Sequence, residues 1–232
     1  LIGVYWTDMP AWDLNIAKRE TGKNWVDAIR ELPEGTAGKK RYQQFLKKNG
    51  ESATDEDFIV VIAKEVYSYV GPLTKELLPN TLIFGDRYAG KALPFRVIKE
   101  ALPYIDVISV QPNGTKFPKS DFDKLYSETG KPIMICDHQA SFKTAEHKVV
   151  MWQSLPSVEA VGKAHAKYLN EGFSIPYLIG YNRCMYIDRL QHKRGKDILK
   201  QGLLQADGKP YPGLAKTVEE NNWRIHSLFI KK

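Results

Sequence analysis

Two aspartates, Asp8 and Asp137, stand at the ends of short apolar runs, where a carboxylate could do chemistry. Side chains alternate along a strand, so Ile133, Ile135 and Asp137 share one face of the run that ends at Gln139. A buried strand that ends in a carboxylate is typical of an α/β-barrel active site, where catalytic groups lie at the C-terminal strand ends. Aspartate is also common just past strand ends, so a cap on a turn or helix is the alternative interpretation.

Polar and aromatic residues follow every predicted strand, which favours a sugar-binding cleft. Apolar sugar faces stack on Trp or Tyr, whereas sugar hydroxyl groups form directional hydrogen bonds with carboxylates and amides. The candidate substrate-binding residues are Trp6, Trp12, Arg87, Tyr88, Gln111, Asn113, His138, Trp152, Tyr181 and Arg183.

Several of these candidates also fit structural roles. Trp6 could belong to the core, while Trp12 and Trp152 are placed in loops. Arg87 and Arg183 could contact substrate or hold carboxylates ionised, but structural ion pairing explains them equally well. His138 should point to the other face of its strand, which favours a packed, hydrogen-bonded histidine.

The elements that must position these residues alternate between strands and helices. Such alternation predicts an α/β protein with a parallel sheet and right-handed crossovers, and leaves an open doubly wound sheet as an alternative. The predicted strands are 1–6, 81–86, 105–111, 132–137 and 177–182, and the predicted helices are 39–48, 55–78 with a bend at Gly71-Pro72, 93–102, 119–129, 157–171 and about 214–228.

Composition excludes several classes of protein. The chain has 232 residues, of which 43% are hydrophobic and 26% charged, as in ordinary globular domains. No G-x-G-x-x-G follows a strand, and Gly35–Lys40 lacks the first Gly and the Ser/Thr of a P-loop. H-E-x-x-H, paired C-x-x-C and G-x-S-x-G are also absent. The sequence therefore predicts neither a metal site nor an organic cofactor.

Two features of the composition have alternative explanations. Cys136 and Cys184 are too few for a disulfide scaffold, so two reduced core thiols are favoured over a bond between them. The net charge of +7 raises a nucleic-acid partner, but acids are interspersed with most of the basic residues. The basic segment 189–200 is interpreted as a solvated loop, with a contact for an anionic substrate as the alternative.

Four stretches of the chain resemble clan A glycoside hydrolases of the agarase-like and β-galactosidase-like kind. They are Gly3–Asp8, Ile105–Ser109, Gly130–Asp137 and Ala206–Pro212. The resemblance implies a (β/α)8 TIM barrel, with this chain supplying roughly strands four to eight. It further implies that residues 1–232 are the C-terminal portion of a single catalytic domain, so the N-terminal part of the barrel is expected upstream. A secreted or periplasmic location is expected, and no membrane span is predicted.

The resemblance assigns Asp8 as acid/base and Asp137 as nucleophile of a retaining mechanism. One carboxyl group must protonate the leaving oxygen while the other attacks the anomeric carbon. Better-known relatives have Asp-Asn-Glu after strand four and Glu as nucleophile, so both aspartates depart from that pattern. The shorter side chains leave an inverting mechanism open. For Asp8, a helix cap or an ion pair with Arg87 is the structural alternative.

The implied substrate is a β-linked, galactose-containing, agar-like polysaccharide or its oligosaccharides. The basic residues extend this hypothesis to a sulfated galactan. A non-catalytic carbohydrate-binding pseudoenzyme on the same barrel is the competing interpretation, and a nucleic-acid partner is a weaker third one.

Overall fold

The computed structural model describes residues 1–90, 93–193 and 195–230, which form two compact units, 1–108 and 109–232. Both units are mixed α/β with parallel strand pairing. The first contains β1 (Gly3–Asp8), α1 (Leu14–Thr21), α2 (Trp25–Arg30), α3 (Ala37–Asn49), α4 (Asp55–Leu77), β2 (Leu82–Ala89) and α5 (Phe95–Ala101). The strand β3 (Ile108–Gln111) begins at the boundary. The second continues with α6 (Lys119–Thr129), β4 (Ile133–His138), β5 (Ser141–Phe142), β6 (Ser154–Leu155), α7 (Val158–Gly172), β7 (Leu178–Arg183), β8 (Arg189–Lys193), β9 (Lys196–Lys200) and α8 (Leu214–Ile230).

In the first unit, β1 pairs in parallel with β2, and Asp8 stands opposite Arg87. The register is irregular on either side of Tyr5, so the simple alternation of faces fails toward the end of β1. Asp8 is the last residue of β1, so the face to which its side chain points does not follow from alternation along the strand.

The long helix α4 begins at a capping box. The side chain of Thr54 accepts a hydrogen bond from the Asp57 amide, and the Asp57 side chain reaches back to the Thr54 amide. The helix remains one element through Pro72. A Cβ atom at Gly71 would fall 2.5 Å from the Tyr104 ring, so glycine is required there for close packing.

In the second unit, β3, β4 and β7 are neighbours in that order, and β4 and β7 are parallel. The helix α6 has the bounds predicted from sequence, because Gly130 adopts a left-handed conformation (φ 65°) that ends it. Side chains from β5 and the segment before it, from α7, and from α8 and the segment before it form a shared core of Ala140, Phe142, Val161, Tyr211, Leu214 and Val218.

The basic segment 189–200 is a β-hairpin, which corrects the prediction of a loop. β8 and β9 are antiparallel, and Leu190 stands opposite Leu199. Leu199 is buried and packs the hairpin against the rest of the second unit. Most of the charged side chains of the hairpin are exposed. Arg194, which belongs to this predicted segment, lies outside the described residues.

The short helices α1 and α2 are not among the elements predicted from the sequence. Asp13 and Asn24 are their N-caps, and each side chain accepts a hydrogen bond from a backbone amide of its helix. None of the helices that the structure describes is long and apolar enough to cross a membrane.

Candidate active site

Asp8 is at the exposed end of β1, with 75% of its side chain accessible. Its carboxylate forms an ion pair with Arg87 on β2, the alternative that the sequence left open. The next residue, Met9, has a positive φ of 48°. Asp8 is therefore held by a neighbouring cation while it stays accessible to a substrate.

Three aromatic candidates of the first unit pack inward rather than toward solvent. Trp6 donates its indole N–H to Thr74 Oγ1 at 2.9 Å and stacks on Tyr67. Trp12 is 5% exposed and Tyr88 2% exposed. The expectation that Trp12 offers an open ring face is thus corrected, because its indole is turned toward a buried carboxylate.

That carboxylate is Asp86, which the sequence-based site omitted. It is 2% exposed and accepts hydrogen bonds from Trp12 Nε1 at 2.8 Å and from the Tyr67 hydroxyl at 2.6 Å. Thr7 also hydrogen-bonds Asp86, and burial raises the pKa of this carboxyl group. Asp86 follows directly after the apolar run 82–85, and the strand β2 continues beyond it to Ala89. Asp86 joins the end of β1, α4 and the loop before α1.

Asp137 is on β4 and has a left-handed backbone conformation, with φ 54°. The pairing of β4 with β7 is irregular between Ile135 and His138, so Asp137 occupies a bulge. Bulges re-aim side chains and are frequent beside active sites. Buried Gln111 donates from Nε2 to the Asp137 carbonyl oxygen at 3.2 Å, which anchors the backbone here. The Asp137 side chain is partly exposed.

His138 is a packed histidine, as its position on the other face indicated. It is 4% exposed, and its ring stacks on Tyr168 with centroids 4.0 Å apart. Nε2 lies 2.7 Å from the Gly114 carbonyl oxygen, and Nδ1 lies 3.1 Å from the Tyr181 hydroxyl. Because a carbonyl only accepts, Nε2 is the protonated nitrogen of the neutral ring. Burial lowers the pKa of His138 to about 4.

The remaining candidates of the second unit differ in their contacts and in their exposure to solvent. Tyr181 donates to the His138 carbonyl oxygen at 2.8 Å and so ties β7 to β4. Asn113 is exposed beside Gly114, and Trp152 is partly buried in the loop before β6. The guanidinium nitrogens of Arg183 are buried. Hydrogen bonds to the backbone carbonyl oxygens of Asp137 and His138 thus bring Gln111 and Tyr181 to the end of β4.

Within the described ranges, no three His, Cys, Asp or Glu side chains are grouped closely enough to bind a metal ion. Cys136 and Cys184 are both buried and are not joined by a disulfide.

The fold of the chain is similar to that of solved agarases. It matches a structure described as an exo-beta-agarase with a TM-score of 0.79, at 17% identity, over 97% of this chain and 35% of that chain. It matches the agarase AgWH50C with a TM-score of 0.77, at 16% identity, over 97% of this chain and 36% of that one. The chain therefore has the mixed α/β fold of agarase-like glycoside hydrolases.

A curated sequence relative is Beta-agarase B from Vibrio sp. (strain JT0107), at 26% identity over 181 residues. The match covers 76% of this chain and 19% of that protein, so the chain spans about a fifth of the length of this relative. No protein-family model matches the chain.

Proposed function

We propose that this chain is part of a glycoside hydrolase that cleaves β-linked, galactose-containing, agar-like polysaccharides or oligosaccharides. The observation that carries the proposal is the fold similarity to an exo-beta-agarase over 97% of the chain. The curated relative, a beta-agarase, agrees with it. These likenesses favour a hydrolase over a carbohydrate-binding pseudoenzyme.

Asp8 is the proposed acid/base and Asp137 the proposed nucleophile. In the first step, the Asp137 carboxylate forms a bond to the anomeric carbon while the glycosidic C–O bond breaks and Asp8 protonates the leaving oxygen. In the second step, Asp8 takes a proton from water, whose oxygen displaces Asp137 from the sugar. Asp8 is ion-paired with Arg87, so substrate must displace Arg87 before Asp8 can protonate the leaving oxygen.

The proposal includes a TIM barrel, in which β1, β2, β3, β4 and β7 act as strands four to eight. The remaining strands would come from the same polypeptide outside residues 1–232. The matched agarase chains support this, because the alignments cover only about a third of their length. A sulfated galactan as substrate and a secreted or periplasmic location belong to the same proposal.

Asp8→Asn and Asp137→Asn, made in the polypeptide that contains this chain, should each lower kcat on agaro-oligosaccharides by about a thousandfold or more. Asp13→Asn is the matched control, because Asn caps a helix as well as Asp and α1 keeps its cap. Reducing-end release measures the rate, and proton NMR of the first product gives its anomeric configuration. We expect the β-anomer, since a retaining mechanism preserves configuration.

Activity within tenfold of the unmutated protein in either variant would remove that aspartate from the proposed pair. A first product of α configuration would replace retention by inversion. Tight binding of the oligosaccharide without turnover by the unmutated protein would favour the pseudoenzyme.

A further inference from the structure

A cavity of about 350 Å³ lies in the second unit between β7, α7 and α8. Its walls are largely apolar, with Leu169, Phe173 and Val218 among them. Its polar lining residues are His165, Tyr181, Arg183, Asn222 and His226. This volume and this mixture of apolar walls with a few converging polar groups are typical of small-molecule sites.

Arg183 brings a buried positive charge to this cavity. Its Nε, Nη1 and Nη2 atoms are all inaccessible and form no well-directed hydrogen bond within the described part of the chain. The Tyr181 hydroxyl acts on Arg183 as a neutral hydrogen-bond acceptor, and it donates its own proton to the His138 carbonyl oxygen. Among the described residues, no carboxylate acts on Arg183. Arginine stays protonated in proteins, so a buried guanidinium without a counter-charge is costly.

His165 adds a second group that an anion would satisfy. It is 6% exposed, and its Nε2 atom has no hydrogen-bond partner among the described residues. Burial, together with the charge of Arg183, lowers the pKa of His165 to about 3. Asn222 hydrogen-bonds the same ring. A bound anion would offset the repulsion from Arg183 and favour the protonated ring, in which both nitrogens donate.

The rim of the cavity is open to solvent. Asn222 and His226 on α8 are both exposed, whereas Arg183 and His165 are on the buried side. On β7, Tyr181 and Arg183 share the helix-covered face, and Asn182 between them is exposed. A soluble ligand could therefore enter the cavity from outside.

We propose that this cavity is a binding site for one oxyanion, the sulfate ester of a sugar, with Arg183 as the group that holds the anion. Arginine forms paired hydrogen bonds with planar or tetrahedral oxyanions. The apolar walls leave room for the sugar ring beside the anion. The sugar component depends on the proposed function, whereas the anion site does not.

The test uses the complete polypeptide and calorimetric titration with three probes at constant ionic strength. Inorganic sulfate and galactose 6-sulfate should each bind with saturation at one site, and galactose, which differs from the latter only by the sulfate, should not. Arg183→Met should weaken sulfate binding by about thirtyfold or more, because it removes one partner of a buried charge pair. Arg189→Met, on the exposed strand β8, is the matched control and should bind like the unmutated protein.

A second readout separates binding from a structural role of Arg183. Sulfate should raise the NMR titration midpoint of the His165 ring in the unmutated protein and in Arg189→Met. If Arg183→Met does not fold, His226→Leu at the exposed rim serves instead and should weaken galactose 6-sulfate binding.

The proposal fails if sulfate shows no saturable binding, if Arg183→Met or His226→Leu binds like the control, or if galactose binds as well as its 6-sulfate. It also fails if a structure of the complete polypeptide pairs Arg183 with one of its own Asp or Glu side chains. Binding needs no turnover, so sulfate binding without hydrolysis of neutral agaro-oligosaccharides would contradict only the proposed activity.

Discussion

Asp137 and Asp8 are each associated with a left-handed residue near a strand end. Asp137 itself has φ 54°, and Met9, directly after Asp8, has φ 48°. Residues other than glycine are sterically disfavoured in this region. Asp tolerates it better than most, because its side chain can form local hydrogen bonds. Such strain persists where the surroundings hold it, and it is concentrated at functional sites.

The backbone of Asp137 predicts an unusual order of stability. Asp137→Ala should be about 1 kcal/mol less stable than Asp137→Gly, because alanine carries a Cβ atom that disfavours positive φ. Urea unfolding monitored by tryptophan fluorescence measures the difference. At Asp8, which has no positive φ, the alanine variant should be at least as stable as the glycine variant. An alanine variant at least as stable as the glycine variant at position 137 would mean that residue 137 does not hold the left-handed conformation.

At the scale of elements, α4 has a capped N-terminus and contacts β2 through one of its buried side chains. Its buried face includes Phe58, Ile59 and Tyr67. The Tyr67 hydroxyl reaches Asp86 near the strand end. Hydrogen bonds from Thr54, together with Arg96, hold the pKa of Asp57 at about 2, so the capping box is ionised at neutral pH. A helix anchored at its first turn thus supports the cluster beneath Asp8 and Arg87.

Removing the cap of α4 should destabilise the protein more than the same change at α3. Thr54→Ala should cost about 1 kcal/mol, because the Asp57 amide loses its acceptor. Thr36, the N-cap of α3, makes no side-chain capping bond, so Thr36→Ala should cost less than half as much. Chemical denaturation of both variants checks this. Equal losses would contradict the role assigned to the capping box.

At the scale of the whole molecule, two buried histidines should make stability fall in acid. The pKa is lowered to about 4 for His138 and to about 3 for His165. An unfolded histidine titrates near 6.5, so below that pH the unfolded state binds more protons than the folded state. Stability is then lost as pH falls from about 6.5 toward 4. Asp86, whose pKa burial raises, acts in the opposite sense.

A variant comparison isolates one histidine from the other groups. His165→Gln should reduce the loss of unfolding free energy between pH 6.5 and 5 by about 1 to 2 kcal/mol, since each pH unit is worth 1.36 kcal/mol per titrating group. His192→Gln, on the exposed strand β8, is the control and should keep the acid sensitivity of the unmutated protein. Urea unfolding across this pH range measures both. An unchanged slope in His165→Gln would contradict a buried neutral ring.

The sequence alone determined most of the regular elements. The start of α4 and the end of α6 follow from local signals, a capping box at Thr54 and a left-handed Gly130. The positions of Asp8 and Asp137 at strand ends follow from apolar runs in the same way. Local patterns did not predict the hairpin 189–200. Its many charged residues mask the two-residue alternation of a strand, and only the folded structure shows that Leu199 is buried.

Tertiary structure decided which way the polar and aromatic side chains face. Trp12 contacts Asp86 across 74 residues of sequence, and Tyr181 contacts His138 across 43. No local pattern predicts that Trp12 is covered or that the Arg183 nitrogens are enclosed beside α7 and α8. Periodicity reflects which residues share a face of one element. Burial depends on what distant elements bring against that face, and this is settled only when the chain is folded.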